Sequence, residues 1–213
     1  MNILLVSATA REIEPFFEYY RNTKRTQNID VLISGIGLTA ATYHILKQVN
    51  LKKPSLVIQA GVAGCFDKKI PLATVVVVKK EAIADQGVIE MKKLKTLFDL
   101  DLLPQDQFPY KKGWLVNEDD ILEKIQLQKV TAISVNEITT SKQQVKLYQE
   151  VFDPVIETME GAALHYTCLM EKIPFIQLRS ISNYITERNK KKWSLERAIR
   201  HLNIELIKLI ESC

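Results

Sequence analysis

Cysteine and histidine are scarce in this chain, and long apolar runs are missing. The 213 residues include three cysteines, Cys65, Cys168 and Cys213. No two have the spacing of a metal site or a thioredoxin-type pair, and the count is odd. A reducing, cytoplasmic setting is therefore expected. His44, His165 and His201 are separated by long gaps and fall on expected helices. They read as structural or surface residues, not as a metal set. No stretch approaches the roughly 18 apolar residues of a membrane-spanning helix. Met1 to Ser7 enters an apolar, strand-like run at once, without the basic region and cleavage site of a secretory signal.

A dominant charge is lacking too. Lys and Arg number 29 against 25 Asp and Glu, a net +4. That balance suits an anionic small molecule and demands neither nucleic acid nor a membrane surface. The lysine pairs and the triplet Lys190-Lys191-Lys192 are scattered, with no aromatic residues interleaved to stack bases, and read as solvated faces. What is present is apolar substance. At 46% hydrophobic residues the chain can build one core without metals or disulfides, which excludes a disordered or peptide-like protein.

Strand-like and helical periods alternate. Asn2 to Val6, Asp30 to Ile33, Leu56 to Ile58 and the β-branched Thr74 to Val78 read as strands. Ile13, Phe16, Phe17 and Tyr20 mark a helix, with Pro15 near its start, where the missing N–H is tolerated. Leu38, Ala41, Ile45 and Val49 mark a second. The segment Leu94 to Pro109 reads equally as a lid, a short helix or an insertion. Gly113 to Val116 reads as a strand, and Asn117 as the cap of a helix over Glu118 to Lys129. Strands are expected at Thr131 to Val135, Val155 to Glu157 and Phe175 to Ser180, with a helix over Ser141 to Glu150. Met159, Ala162, Ala163, Tyr166, Leu169 and Met170 form one helical stripe. Leu195, Ala198, Ile199, Leu202, Leu206 and Leu209 form another, at the end of the chain. The alternation argues for a single-domain α/β sandwich with a mostly parallel or mixed sheet.

In such sheets ligands lie at the carboxyl ends of the strands. Six segments follow the expected strands: Thr9 to Glu12, Ser34 to Gly37, Ala60 to Gly64, Asn136 to Thr140, Glu157 to Glu160, and Ser182-Asn183. Together they supply glycines, carboxylates, amides and hydroxyls for a small-molecule pocket. Gly35-Ile36-Gly37 allows close backbone approach, but it is not a dinucleotide fingerprint, because position 40 is Ala. Glu12 and Glu160 read either as two carboxylates facing one cleft, one for acid/base work and the other to hold hydroxyl groups, or as ordinary first-turn carboxylates favoured by the helix dipole. Glu157 reads more readily the second way.

The run Glu157-Thr158-Met159-Glu160-Gly161-Ala162-Ala163 resembles the nucleoside phosphorylase and hydrolase superfamily, in the branch of methylthioadenosine/S-adenosylhomocysteine nucleosidases. Ser7 to Glu12, Ser34 to Gly37, Gln59 to Gly64 and Arg179 to Asn183 agree with that branch in order and spacing. The resemblance implies a three-layer sandwich, a mixed central sheet flanked by helices, with residues 1–213 as one nucleoside phosphorylase-like domain. That branch has Asp where this chain has Asn183. An amide donates to a 6-oxo group where a carboxylate repels it, so Asn183 favours hypoxanthine or guanine over adenine. Ser134 to Ser141, Met159 to Tyr166, Arg179 to Tyr184 and Lys192-Trp193 are similar to the futalosine hydrolases. Those enzymes release hypoxanthine and dehypoxanthine futalosine in menaquinone biosynthesis.

The resemblance assigns roles. Glu12 is the general base for the attacking water. Glu160 accepts from the ribose hydroxyls, and Asn183 reads the base and stabilises it as it leaves. Ala60, Gly61 and Val62 flank the nucleoside by backbone contact. Met159 packs under the sugar, a role compatible with a core methionine. Ser182 supports Asn183 or touches the base. Glu137 accepts from the ring N1–H, with Ile138 beside it. Arg179 ties buried carboxylates together. No cofactor and no metal are implied. The partners implied are a small nucleoside and further copies of the chain, as a homodimer or larger homo-oligomer. Three alternatives stay open: a methylthioadenosine-type nucleosidase, a phosphorylase using Arg11 near the first loop, and a nucleoside-binding protein without catalysis.

Overall fold

The structure is a computed structural model that describes residues 1–23, 28–187 and 189–212. Cys213 lies outside them, as does the side chain of Lys190. The chain forms β1 (Asn2–Ser7), α1 (Glu14–Asn22), β2 (Asn28–Ile33), α2 (Leu38–Lys52), β3 (Leu56–Cys65) and β4 (Val75–Ile83). A hairpin of β5 (Gly87–Glu90) and β6 (Lys93–Thr96) follows, then β7 (Tyr110–Lys111), β8 (Trp114–Val116) and β9 (Gln128–Ser134). The last third holds α3 (Lys142–Phe152), β10 (Ile156–Thr158), α4 (Gly161–Glu171), β11 (Phe175–Tyr184) and α5 (Leu195–Ser212).

Nine strands make one mixed sheet in the order β2-β1-β3-β10-β9-β4-β8-β7. β11 pairs with both β3 and β4, so β3, β10, β9, β4 and β11 close into a ring. β1 explains the layering. It lies between β2 and β3, both parallel to it, and Ile3, Leu4, Leu5 and Val6 are all fully buried. A strand covered on both faces reads as a continuous apolar run. Ile3 and Leu5 join a core with Phe16 of α1 and Leu202, Leu206 and Ile210 of α5. Leu4 and Val6 join another with Ala41, Ile45 and Val49 of α2 and Leu164 of α4. Helices therefore cover both faces of the sheet, as the sequence led one to expect.

Several elements differ from the sequence reading. Ala60 to Gly64 is not a loop: β3 runs on through it, held between β11 and β10. β11 likewise extends through Ser182 and Asn183. No helix spans Glu118 to Lys129. A short 3-10 turn, Asp120–Lys124, is capped by Asp119, whose side chain accepts from the Ile121 amide. Asn117 is buried instead, and its amide donates to the Phe175 carbonyl at 2.7 Å. Leu94 to Pro109 begins inside β6, the second strand of the hairpin, and continues in turns. The stripe on α4 is also redistributed. Residues Gly161 to His165, Thr167 and Cys168 are buried, while Tyr166 and Met170 face outward.

A polar cluster sits inside the ring. Glu81 of β4 is fully buried and accepts from Ser134 Oγ at 3.1 Å and Gln177 Nε2 at 3.0 Å. Burial pushes its carboxyl up to about 7, against the opposing effect of Gln177, Arg179 and Ser134. His165, equally buried, is pushed down to about 4 by the same loss of water. A carboxyl raised from 4.5 to about 7 stabilises the fold fully below pH 4.5 and loses that contribution as pH rises to 7. Relative to Glu81→Gln, the wild-type unfolding free energy should fall across that window by up to ~3 kcal/mol and then level off. Urea unfolding of both proteins at pH 5 and pH 8 checks this; parallel pH dependence would remove the buried-carboxyl account.

Candidate active site

The first turn after β1 builds around Glu12. One carboxylate oxygen, Oε2, accepts from the Thr9 amide at 3.1 Å and the Thr9 hydroxyl at 2.9 Å. It closes the 3-10 turn Ala10–Ile13 as a first-turn carboxylate does. The other, Oε1, accepts from the Val62 amide of β3 at 3.0 Å. Glu12 thus serves the local turn with one oxygen and reaches across to the ring with the other. Asn203, buried on α5, holds this loop from behind. Its Nδ2 donates to the Glu12 carbonyl at 2.8 Å and its Oδ1 accepts from the Phe16 amide at 3.0 Å. Sequence reasoning missed Asn203, although a polar residue on the apolar stripe of α5 was the available signal.

Glu160 stands where α4 begins. Gly35 and Gly37 have φ of +80° and +90°, a left-handed conformation that favours glycine. This turn aims the Gly37 amide at Glu160 Oε1, 2.9 Å away. Burial raises the Glu160 carboxyl above the ordinary range, and the Glu12 charge adds to the effect. The Arg179 guanidinium and the Gly37 amide work against it. Arg179 is 1% exposed, lies opposite Gly61 in the β3–β11 register, and donates to Gln59 Oε1. A side chain at Gly61 would place its Cβ 2.1 Å from Arg179 Nη1 and 3.0 Å from Glu12 Oε1. Gly61 therefore makes room for the guanidinium and the carboxylate.

Asn183 follows a break in the β3–β11 register. Ile181 pairs with Ala63 and Asn183 with Gly64, leaving Ser182 as the extra residue. Such bulges re-aim the next side chain. The Ser182 hydroxyl lies 2.9 Å from Asn183 Oδ1 and 3.2 Å from the Ala63 carbonyl. Asn183 Nδ2 donates to the Tyr184 carbonyl at 3.2 Å and keeps a second N–H.

A cavity of about 300 Å³ joins these parts, at the small end of the range for small-molecule sites. Glu12, Val62, Ile138, Met159, Glu160, Ser182 and Asn183 line it, and each of the six strand-end segments contributes a residue. Ala60 and Gly61 do not line it: Ala60 is in the core and Gly61 faces Arg179. Glu137 is exposed and lies outside the lining. Glu157 lines it, although its sequence context read as structural. One of its oxygens accepts from the Thr139 amide at 3.1 Å, and burial raises its carboxyl. Ile185, which the sequence did not single out, completes the wall with Trp193, from a segment that carries the resemblance, and Leu195, from the last helical stripe. A larger groove, about 970 Å³, lies at β7, β8 and the end of α4. It contains none of the carboxylates raised by burial, and its Lys111–Glu118 pair is exposed. The smaller cavity is the stronger candidate for chemistry. Among the described residues no cluster of three or more His, Cys, Asp or Glu is placed to hold a metal ion, and no helix is long and apolar enough to cross a membrane.

Fold and cavity define an α/β protein with Glu12, Glu157 and Glu160 lining a pocket at strand ends. Residues 5–211 match the family model described as the phosphorylase superfamily, and the chain belongs to that family. It is 28% identical over 189 residues to a 5'-methylthioadenosine/S-adenosylhomocysteine nucleosidase of Maridesulfovibrio salexigens, covering 82% of this chain and 77% of that one. Two solved structures from Helicobacter pylori share its fold at 19% identity and a TM-score of 0.83, each matching over the whole of this chain. One is a 5'-methylthioadenosine/S-adenosylhomocysteine nucleosidase with butyl-thio-DADMe-Immucillin-A, covered to 99%, and the other is a native futalosine hydrolase, covered to 98%.

Gly61→Ala should destabilise the fold by about 1–3 kcal/mol, the usual cost of overpacking a buried contact. Urea unfolding measures it, and an unchanged midpoint would show that Arg179 can move away freely.

Proposed function

We propose that the protein is a nucleoside N-ribosyl hydrolase acting on 6-oxopurine nucleosides, with futalosine as substrate and hypoxanthine as the released base. The observation that carries this reading is Asn183. Ser182 and the Tyr184 carbonyl orient its amide, and the remaining N–H donates to a 6-oxo oxygen. A carboxylate there would repel that oxygen. The chemistry follows from the two glutamates. Glu12 deprotonates a water as it attacks the anomeric carbon and stabilises the positive charge growing on the ribosyl ring. Glu160, with one oxygen held by Gly37, accepts from the ribose diol, and the Arg179 charge favours the ionised form that this needs. Met159 packs under the sugar. The bond from ribose to base breaks as the water oxygen bonds to carbon, and the base leaves with its charge met by Asn183.

Among the described residues Arg11 is the one cationic side chain of the cavity lining, and it is largely exposed, so the lining offers no buried cation for a phosphate, and hydrolysis is the reading we favour. The second reading, an adenine nucleosidase, is favoured by the names of the sequence relatives. We further infer association into a homodimer or larger homo-oligomer. Tyr43 of α2 and Tyr166 and Met170 of α4 are exposed on two helices that pack together.

Base release followed by chromatography, with and without phosphate, tests the reading on futalosine, inosine, methylthioadenosine and S-adenosylhomocysteine. Phosphate-independent hypoxanthine release from futalosine is expected; adenine release from the last two alone would establish the second reading. Glu12→Gln should lower turnover by about 100-fold or more while ligand still binds, the scale of a lost general base. Ordinary turnover in that variant would exclude Glu12 from the proton transfer. Asn183→Asp should shift preference toward adenine nucleosides, and an unchanged hypoxanthine-to-adenine ratio would show that Asn183 does not read the base.

A further inference from the structure

Helix α4 starts at Glu160, yet Glu160 does not cap it. The residue holds the N-cap position, but its side chain accepts no hydrogen bond from the first turn of the helix. Its carboxylate turns to the Gly37 amide instead. The first N–H groups of a helix have no partner within it and must find one elsewhere. Two hydroxyls on neighbouring strands serve them. Thr158 Oγ1 of β10 accepts from the Gly161 amide at 3.2 Å, and Ser134 Oγ of β9 accepts from the Ala162 amide at 2.9 Å.

Glu81 stands behind the hydroxyls. Their oxygens are 3.0 Å apart, and Ser134 Oγ is 3.1 Å from Glu81 Oε1. An ionised carboxylate only accepts, and a hydroxyl has one proton to give. With Glu81 ionised the directions are fixed: the Gly161 N–H donates to Thr158, Thr158 to Ser134, and Ser134 to Glu81. A protonated Glu81 donates to Ser134 and reverses the two hydroxyls, and both amides stay capped. Gly161 rests on the same carboxylate, since a Cβ there would lie 2.1 Å from Glu81 Oε2. Ser134 and Glu81 are fully buried, and neither lines the cavity. Any effect they have on a ligand passes through the residues they hold.

We propose that Ser134, anchored on Glu81, is a positioning residue for Glu160: with Thr158 it caps α4 from the neighbouring strands and so leaves the Glu160 carboxylate to the cavity. The assignment rests on the reading of Glu160 as the acceptor of the ribose diol. A polar side chain at a helix start is ordinarily engaged by the helix amides. Here hydroxyls on β9 and β10 engage them, and the same two bonds fix the start of α4 against the strands that carry the cavity.

Amide hydrogen exchange at Gly37, whose N–H donates to Glu160 Oε1, reports the placement of that carboxylate without a ligand. Ser134→Ala and Thr158→Val should each speed it by about 5- to 30-fold, the scale of a lost helix cap, with exchange in β1 unchanged. Thr158→Ser keeps the hydroxyl and should restore the wild-type rate. Unchanged Gly37 exchange in the first two variants, or an acceleration matched in β1, would overturn the proposal. Binding is measured in the Glu12→Gln background, chosen to hold ligand without turnover, with inosine and 2′,3′-dideoxyinosine as probes. Inosine should bind more tightly. Adding Ser134→Ala should lower that preference by a similar factor and leave the affinity for the dideoxy compound as it was. Equal affinity for the two nucleosides before Ser134 is changed, or none, would remove the ribose role of Glu160 and the proposal with it. A diol preference indifferent to Ser134 would remove the proposal and leave that role standing.

Discussion

A single guanidinium, sealed inside the ring of strands, organises the polar interior. Arg179 sits on β11 directly opposite Gly61, and the missing side chain on β3 is what admits it. Its positive charge bears on both Glu81 and Glu160. One cation cannot neutralise two buried anions, and burying an unpaired charge is expensive. The division is visible in the surroundings. Glu81 is fully enclosed and raised to about 7, whereas Glu160 borders the cavity and gains the Gly37 amide. The carboxylate that borders the cavity thus has a backbone donor besides the guanidinium, and the one behind it has Ser134 and Gln177.

The position of Glu12 follows from the same arrangement. Its Oε1 shares the space over Gly61 with Arg179 Nη1 and is tied to the next amide along, that of Val62. Asn203 secures the other side of the turn from α5. Glu12 on a four-residue 3-10 turn, Glu160 at the cap of α4 and Asn183 on β11 are therefore held by short, bonded segments, not by long loops, which fixes their mutual geometry.

Much of this was legible in the sequence because the strands are apolar and the segments after them are not. The core positions of β1, α2 and α5 follow directly from their periods. The lengths of β3 and β11 do not. Both continue as strands through glycine, serine and asparagine, residues that ordinarily signal a turn, because the two strands pair with each other along that stretch. Ala60 and Gly61 consequently fall behind the cavity, in the wall of the ring. Glu137 and Glu157 show another limit. Glu137 follows β9 in an irregular segment with no period, and the three-residue strand that carries Glu157 is too short to reveal which face its carboxylate takes. Only the pairing with Gly64 decides it. Asn117 looked like a helix cap for a similar reason, since side-chain chemistry alone does not distinguish capping an amide from bonding a distant carbonyl.

Closure of the ring has a consequence for how the chain meets other molecules. In the nine-stranded sheet only β2 and the two-residue β7 are terminal among the described residues. Open strand edges are templates for adding foreign strands, and five strands here have none to offer. Growth of the nine-stranded sheet from chain to chain is confined to its two margins, and among the described residues the exposed β5–β6 hairpin is the other place where a foreign strand could add.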